Sequence, residues 1–319
     1  MTAPDKKHVY GPVPSRRLGR SLGIDLVPYK VCTYDCIYCQ LGRTTHLAVE
    51  RQVHVPAETV LAECAAILAA GKRPDIISLA GSGEPTLNSA IGKVIRGLKQ
   101  HTTLPVAVLT NGALLWQKEV QDDLMAADLV LPSLDVGDER LFQMINRPHP
   151  ELSYARMVDG LAAFTHRFAG EVWLEVLLLA GMTDTPDTVA RIADHVKRIQ
   201  PARVQLNTAC RPPVETIAAP VSVARLESLA DLFPCPVDII SYDVRDAAPT
   251  PPDGVASEAD ILAMLARRPC TPADVARGLR IHINEALKYL EAMVTAHRLQ
   301  RIVNDQGTFY TSRLSKASS

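Results

Sequence analysis

The amino-acid sequence predicts an α/β fold: an incomplete (β/α)6 TIM-like barrel followed by a small C-terminal winged-helix domain. Short apolar strands alternate with amphipathic helices over most of the chain. The strands are apolar almost throughout, which is typical of a parallel sheet covered by helices on both faces. A Pro-rich segment at 247–254 (AAPTPPDG) then interrupts the alternation, and the pattern after it is different. Such a segment marks a domain boundary.

The strands of the predicted barrel are short apolar runs bounded by turn residues. We predict six of them, at 21–27, 75–80, 106–110, 129–133, 172–179 and 203–207, and a seventh run at 237–242 that extends the sheet. Helices are predicted between the strands, at 57–71, 88–100, 115–126, 138–145, 153–168 and 186–199. Six strand–helix units instead of eight predict a barrel that does not close.

An arm precedes the first predicted strand of the barrel. Residues 1–20 form a Pro-rich arm that carries Arg16, Arg17 and Arg20. This arm is either a solvated lead-in to the first strand or a segment folded over the active face, where an arginine would meet an anionic group. The predicted domains are therefore a partial barrel at 1–246, a linker at 247–254 and a winged-helix domain at 255–319.

The predicted winged-helix domain contains three helices followed by a β-hairpin. The helices are expected at 257–266, 272–278 and 283–297, with Thr271 as the N-cap of the second, and the hairpin at 298–303 and 308–313. Nine Lys and Arg against six Asp and Glu give residues 255–319 a net charge of +3. Two functions stay open. The domain could bind nucleic acid, with Lys288, Arg298 and Arg301 near phosphates, or it could mediate protein–protein association.

Composition and charge exclude several classes of protein. The net charge of −1 gives no chain-wide attraction to nucleic acid or to an anionic membrane. No apolar run approaches the roughly 18–20 residues of a membrane span, and the N-terminus lacks the apolar core of a signal peptide. We therefore expect a cytoplasmic protein with no membrane partner. In that reducing compartment, seven cysteines indicate metal or cluster ligation and not a disulfide framework.

The most informative stretch is 31–41 (VCTYDCIYCQL), just after the first predicted strand. It places Cys32, Cys36 and Cys39 in a Cys-x3-Cys-x2-Cys spacing, so three thiolates can hold one small inorganic centre. Zinc stays open, but a structural zinc site usually takes four protein ligands, and no second Cys or His pair follows at a suitable spacing. A 4Fe–4S cluster held by three cysteines leaves one iron open to a small molecule. The spacing therefore favours a reactive cluster.

The cysteine loop resembles the signature of the radical S-adenosylmethionine (radical SAM) superfamily. After the second strand, Gly81-Ser82-Gly83-Glu84-Pro85 resembles the glycine-and-glutamate motif of that superfamily, which contacts the methionine amino group of S-adenosylmethionine. The resemblance covers about residues 8–245. Three further runs are similar to a branch of iron–sulfur oxidoreductases related to the wybutosine-synthesis enzymes that modify tRNA: GPVPSRRLGRSLGIDLVP, INRPH and LEVLLLAG.

The resemblance implies one 4Fe–4S cluster held by the three cysteines, with S-adenosylmethionine chelating the open iron. An external electron donor of the flavodoxin or ferredoxin type would drive cleavage of the sulfonium, and the resulting 5′-deoxyadenosyl radical would abstract hydrogen from a substrate. The sequence does not identify that substrate, and an RNA base is the candidate. The alternative function is a redox-sensing regulator that acts through the winged helix. The Gly83-Glu84 motif argues against it, because a sensor needs no methionine-binding site.

Other site residues follow from the rule that active residues of parallel barrels collect at the C-terminal ends of the strands. The cofactor-binding candidates on this rule are Gly81, Gly83, Glu84, Thr110, Asn111 and Ser133, with Asp135 close behind. As alternatives, Glu84 could be an acid in the first turn of a helix, and the polar residues after strands three and four could be ordinary turn residues. The resemblance adds Tyr38, at the position of an aromatic residue near the adenine.

The catalytic candidates lie on the last two predicted barrel strands. Glu175 interrupts the apolar run VWLEVLLLAG, and a buried charge is costly unless it is paired. We expect its side chain either to point into the barrel or to form a structural salt bridge. Asn207 and Arg211 follow the sixth strand, and Arg147 and His149 in the INRPH segment are further candidates from a loop.

Overall fold

The structure, a computed structural model, describes residues 7–15, 17–240, 257–304 and 306–312. The predicted linker at 247–254 lies outside the described residues. The strands of the sheet region (7–240) are β1 (Val9–Ser15), β2 (Gly19–Ile24), β3 (Val31–Cys32), β4 (His46–Leu47), β5 (Ile76–Leu79), β6 (Val106–Thr110), β7 (Leu129–Pro132), β8 (Glu171–Leu178), β9 (Arg203–Thr208) and β10 (Val237–Ile239).

The helices of the sheet region fall between these strands. They are α1 (Ala57–Ala69), α2 (Ile91–His101), α3 (Lys118–Leu124), α4 (Glu139–Leu141), α5 (Tyr154–Arg167), α6 (Pro186–Ile199) and α7 (Val223–Ala230). Side-chain caps start several of them where the sequence supplies a hydroxyl: Ser153 for α5, Thr185 for α6 and Ser222 for α7. Each helix buries one apolar face, as α6 does with Val189, Ile192, Ala193, Val196 and Ile199.

The sheet has the order β1-β2-β5-β6-β7-β8-β9-β10. All neighbouring strands from β2 to β10 are parallel, and only β1 runs antiparallel, against β2. The prediction of an α/β fold with a parallel sheet is confirmed. The six predicted strands correspond to β2 and β5–β9, and β10 extends the sheet as expected. Their C-terminal ends therefore meet along one edge, where the site is expected.

The predicted N-terminal arm is the antiparallel edge strand β1, which sequence reasoning missed. Pro12 and Pro14 hide it, because proline is excluded from central strands but tolerated at an edge. One carboxylate oxygen of Glu63 accepts hydrogen bonds of 2.8 Å from the backbone N–H groups of both His8 and Val9. This contact ties the start of β1 to α1. The interpretation of the arm as a solvated lead-in is wrong for the described part.

Two further elements differ from the prediction. The helix expected at 138–145 begins as α4 and continues as a π-helical turn, Phe142–Asn146. It ends at Arg147, which has a positive φ of 46°. Helix α7 was not predicted. Because only Leu226 and Leu229 of its eight residues are buried, its sequence carries a weak periodic signal.

The C-terminal region (257–304 and 306–312) contains α8 (Glu258–Leu265), α9 (Pro272–Leu279), α10 (Ile283–Thr295), β11 (Leu299–Asn304) and β12 (Gly307–Ser312). The three predicted helices and the hairpin are therefore present. Thr271 caps α9 as predicted, in a reciprocal capping box with Asp274. This region has an apolar core of its own, which includes Ile261, Leu265 and Leu290.

Within the described ranges, no helix is both long enough and apolar enough to cross a membrane.

Candidate functional site

A cavity of about 400 Å³ lies at the C-terminal ends of the parallel strands. Its roof comes from the C-terminal region, through Met264 and several charged residues of 267–277. Nine of the candidate metal-binding, cofactor-binding and catalytic residues line it: Cys32, Gly81, Gly83, Glu84, Thr110, Asn111, Ser133, Glu175 and Arg211. The structure thus brings together residues from six separate strands and loops, over a sequence distance of more than half the chain.

Each thiol of the cysteine loop has its own N–H donor. The Lys30 ammonium lies 3.1 Å from the Cys39 sulfur. The side-chain amide of Asn111 lies 3.6 Å from the Cys32 sulfur, and that of Asn146 lies 3.7 Å from the Cys36 sulfur. These donors come from three different parts of the chain. Donors of this kind stabilise thiolate sulfur, which is the form of cysteine that binds metals.

Burial shapes the protonation of the loop. It raises the pKa of Cys32 to about 12 and that of Cys36 well above its usual value. Both thiols are therefore protonated at neutral pH, and metal binding would release their protons. Lys30 is itself buried. Burial lowers the pKa of Lys30, but the neighbouring Cys39 and Cys32 outweigh this effect, so its pKa is raised.

Gly83 allows the loop after β5 to press against the cysteine loop. A Cβ on Gly83 would lie 2.0 Å from the Val31 carbonyl oxygen, far inside contact distance. The two loops are joined there by backbone hydrogen bonds from Lys30 N–H to the Ser82 carbonyl (2.6 Å) and from Glu84 N–H to the Val31 carbonyl (3.0 Å). Close backbone approach, which only glycine permits, therefore sets the position of Cys32 relative to the Gly-Glu motif.

Glu84 is buried and accepts four hydrogen bonds from protein groups. Its Oε1 accepts from the Thr86 N–H (3.0 Å), the Thr86 hydroxyl (2.6 Å) and the Thr110 hydroxyl (2.6 Å). Its Oε2 accepts from the Asn111 N–H at 2.7 Å. Burial nevertheless raises the pKa of this carboxyl. The carboxylate caps the short 3-10 turn that follows it and joins the end of β6 to the end of β5. It is thus an ordering group at the edge of the cavity.

Behind the cysteine loop lies a buried carboxylate, Asp135. It accepts hydrogen bonds from the Tyr38 hydroxyl, from the Asn146 amide at 3.0 Å and from the Leu177 N–H at 3.0 Å. Burial raises the pKa of Asp135 to about 6. Since the Asn146 amide also faces the Cys36 sulfur, its hydrogen bond to Asp135 holds that amide in position beside the cysteine loop.

The titration of Asp135 predicts a pH dependence of stability. An unfolded aspartate has a pKa of about 3.9, so between about pH 4 and pH 6 the folded protein holds one more proton than the unfolded chain. The stabilisation from the neutral carboxyl is full below pH 4 and is lost as the pH rises through 6. The contribution of Asp135 to the free energy of unfolding should therefore fall over this window by roughly 3 kcal/mol. Asp135→Asn should remove this fall, as urea unfolding at a series of pH values would show.

The exposed Asp231 supplies the matched control for that series. Asp231→Asn should leave the pH dependence of the free energy of unfolding as it is in the original protein. Parallel pH curves for Asp135→Asn and the original protein would contradict the raised pKa of Asp135.

Glu175 lines the cavity and is also paired. Its carboxylate forms a salt bridge with Arg17 and accepts a hydrogen bond from the Asn207 amide at 3.1 Å. The Glu175 side chain therefore both faces the cavity and forms a salt bridge, the two arrangements that the sequence left as alternatives. The salt bridge also confirms that the N-terminal arm folds over this face and that one of its arginines meets an anionic group.

The remaining predicted residues lie elsewhere. Tyr38 and Asn207 are outside the cavity lining, where they donate to Asp135 and Glu175 respectively. Arg147 forms a salt bridge with Glu215. His149 lines a separate surface pocket near 46–52. The adenine contact of Tyr38 stays a prediction.

Sequence reasoning missed two residues that face the thiols, Lys30 and Asn146. Lys30 stands two positions before the first cysteine, and its positive φ of 56° turns it toward the loop, which no sequence pattern reports. Asn146 belongs to the INRPH segment, in which the sequence predicts Arg147 and His149 as the candidates instead. Among the described residues, no group of three or more His, Cys, Asp or Glu side chains lies close enough together for a single metal ion.

Comparison with known sequences gives a family match and curated relatives. A family model described as the radical SAM superfamily matches residues 26–197. A protein of Brachyspira hyodysenteriae named GTPase Obg is 38% identical over 301 residues, which cover 93% of this chain and 44% of that protein. A UPF0026 protein of Methanocaldococcus jannaschii is 34% identical over 226 residues, which cover 70% of each chain. The chain thus spans less than half the length of the first of these relatives.

Comparison with solved structures finds the same fold. A radical SAM methyltransferase from Sphaerobacter thermophilus has a TM-score of 0.55 at 16% identity, covering 69% of this chain and 66% of that one. Streptococcus suis SuiB bound to S-adenosylmethionine has a TM-score of 0.50 at 15% identity, covering 75% of this chain and 52% of that one. At such identities the likeness is one of fold.

Proposed function

The chain belongs to the radical SAM superfamily, and we propose that Cys32, Cys36 and Cys39 hold the 4Fe–4S cluster that its members use to cleave S-adenosylmethionine. Superfamily membership makes the protein an enzyme and gives it these two cofactors. The assignment of ligands and of a reaction on a particular substrate is our proposal. It rests on one observation above all, the separate N–H donor beside each of the three thiols.

The donor set suits a cluster with thiolate ligands. Two of the thiols are half-buried and neutral without metal, so a bound cluster needs groups that stabilise the negative charge it brings. The buried Lys30 ammonium and the amides of Asn111 and Asn146 are such groups. Hydrogen bonds to sulfur and nearby positive charge also raise the reduction potential of an iron–sulfur cluster. These donors would therefore favour the reduction of a cluster bound by the cysteine loop.

When bound, the cluster and S-adenosylmethionine supply a carbon-centred radical that removes hydrogen from a substrate. The residues of this chain would bind and orient these groups and shield the cavity from water. The Gly83–Val31 contact and the Glu84 hydrogen bonds hold the two motif loops at one fixed separation. Arg17 and Glu175 close the cavity beneath the N-terminal arm, and the C-terminal region covers it from above. Covering the site keeps water away from a reactive intermediate.

The proposal is tested by the formation of 5′-deoxyadenosine. The protein is reconstituted anaerobically with iron and sulfide, reduced with dithionite and mixed with S-adenosylmethionine. We expect 5′-deoxyadenosine by chromatography, and none without reductant. An intact, reducible cluster with no deoxyadenosine would reject the proposed cleavage of S-adenosylmethionine and favour the alternative, a redox-sensing regulator, which needs a cluster but no cleavage. In the cell we propose an electron donor of the flavodoxin or ferredoxin type and a cytoplasmic location.

We further propose that 1–246 is the partial barrel and that 255–319 is a winged-helix domain, joined by the linker at 247–254. The order of three helices and a hairpin supports the winged helix. An RNA base as substrate, reached through this domain, has weaker support. Two of the three residues expected near phosphates are paired within the region: Arg298 with Glu258, and Arg301 with Glu291 at 3.6 Å. Filter retention of a tRNA pool that is unchanged on deleting 255–319 would reject this role.

A further inference from the structure

The C-terminal region is anchored on the cavity by Arg267. Its guanidinium lies 3.6 Å from the centre of the Tyr10 ring and 3.3 Å from a carboxylate oxygen of Asp25, which is buried. It also donates to the Lys7 carbonyl at 3.3 Å. Tyr10 lies in β1 and Asp25 directly follows β2. Stacking, charge and a backbone contact therefore join the roof of the cavity to its wall, and the C-terminal region partly covers the space beneath.

The lining of this covered space is rich in guanidinium groups. Five arginines line it: Arg17, Arg211, Arg267, Arg268 and Arg277. The lining carboxylates are Glu84, Glu175 and Asp274. All three already bind protein groups: Glu84 accepts four hydrogen bonds, Glu175 pairs with Arg17, and Asp274 caps α9. Positive charge thus exceeds negative charge around the cavity.

Arg277 is the arginine that this lining leaves for a ligand. It stands in the last turn of α9 and is half-buried. Arg17 is bound to Glu175, and Arg267 is bound to Asp25. In the part of the chain that the structure describes, Arg277 has neither an ion-pair partner nor a hydrogen-bond partner. A half-buried guanidinium that faces a cavity can donate to an oxyanion of a ligand in a bidentate contact.

We propose that this cavity binds a small substrate carrying a compact anionic group, phosphate or carboxylate, and that Arg277 contacts that group. The proposal deepens the proposed function, since it names the substrate class of the same site. A covered cavity of about 400 Å³ is of the size that holds a small molecule. The C-terminal region is thus part of the substrate site, and its positive charge is directed inward.

The test is equilibrium binding to the full-length protein, by calorimetry, with inorganic phosphate and succinate as separate probes. At least one probe should bind saturably, and Arg277→Gln should weaken it about tenfold or more, the effect of losing one charge-assisted contact. Arg277→Lys should retain part of the affinity. Arg96→Gln, an exposed arginine in α2 away from the cavity, should change nothing. Thermal unfolding of each variant shows that it is folded.

Three results would overturn the proposal. In the first, neither probe binds. In the second, Arg277→Gln weakens S-adenosylmethionine by the same factor, which would assign this arginine to the cofactor carboxylate. In the third, a tRNA pool binds with dependence on Arg277 while the small anions do not, which would make the substrate a nucleic acid. These binding measurements need neither reduction of a cluster nor catalysis. A failure to form 5′-deoxyadenosine would therefore count against the proposed function without deciding whether the cavity binds an anion.

Discussion

Replacing Cys32 with serine should remove both the bound iron and the formation of 5′-deoxyadenosine. The three loop cysteines are the proposed ligands of one cluster, and the loss of one leaves two thiols, which cannot hold it with an open iron. We expect iron and sulfide per chain to fall to a small fraction of the original after anaerobic reconstitution. Deoxyadenosine should fall below detection, at least a hundredfold. Cys36→Ser and Cys39→Ser should behave in the same way.

Cys235→Ser is the matched control, because Cys235 is a half-buried free thiol outside the loop. It should keep the full iron content and the full rate. If Cys32→Ser retained the iron of the original protein, the assignment of Cys32 as a cluster ligand would be wrong. Colorimetric iron and sulfide assays together with visible absorption make this comparison.

Gly83→Ala should destabilise the protein by about 3 kcal/mol or more. Its new methyl group would lie 2.0 Å from the Val31 carbonyl oxygen and 2.9 Å from the carbonyl carbon. These are backbone atoms that are hydrogen-bonded to Glu84, so no side chain can rotate out of the way. The loops must separate, and Cys32 moves with them. Urea unfolding measures the loss of stability, and iron content measures the displacement of the cysteine loop.

Gly71→Ala separates this clash from the ordinary cost of replacing glycine. Gly71 has a φ of 82°, and nothing lies within 4 Å of where its Cβ would be. The variant should cost only about 1 kcal/mol, from left-handed backbone alone, and should keep its iron. An equal cost at Gly71 and Gly83 would show that the contact between the two motif loops is not tight.

The parallel sheet was predictable because its signal is local. Runs such as 106–110 and 129–133 are apolar up to their last residue, and the observed β6 and β7 match them to within one residue. The edge strand β1 was not predictable in this way. It contains two prolines, and its backbone is held by β2 and by Glu63, which lies 55 residues away from His8 along the chain.

Within the site, the motifs were predictable and their surroundings were not. Cys32, Gly83 and Glu84 belong to motifs whose spacing and residue types can be recognised in a single sequence. Lys30 and Asn146 carry none, since they reach the thiols only because loops distant in sequence fold together. The same holds for the pairing of Glu175, where an isolated charge in an apolar strand predicted a partner without naming Arg17.

The sequence by itself determined the α/β class, the cysteine loop, the Gly-Glu motif and the order of helices and hairpin at the C-terminus. Each of these depends on residues close together along the chain, through periodicity, spacing or turn chemistry. Only the tertiary structure decided that β1 and the C-terminal region cover the strand ends, and that Arg17, Arg267 and Arg277 meet there. Their meeting depends on packing between segments up to 260 residues apart, as between Lys7 and Arg267, and such packing leaves no local pattern.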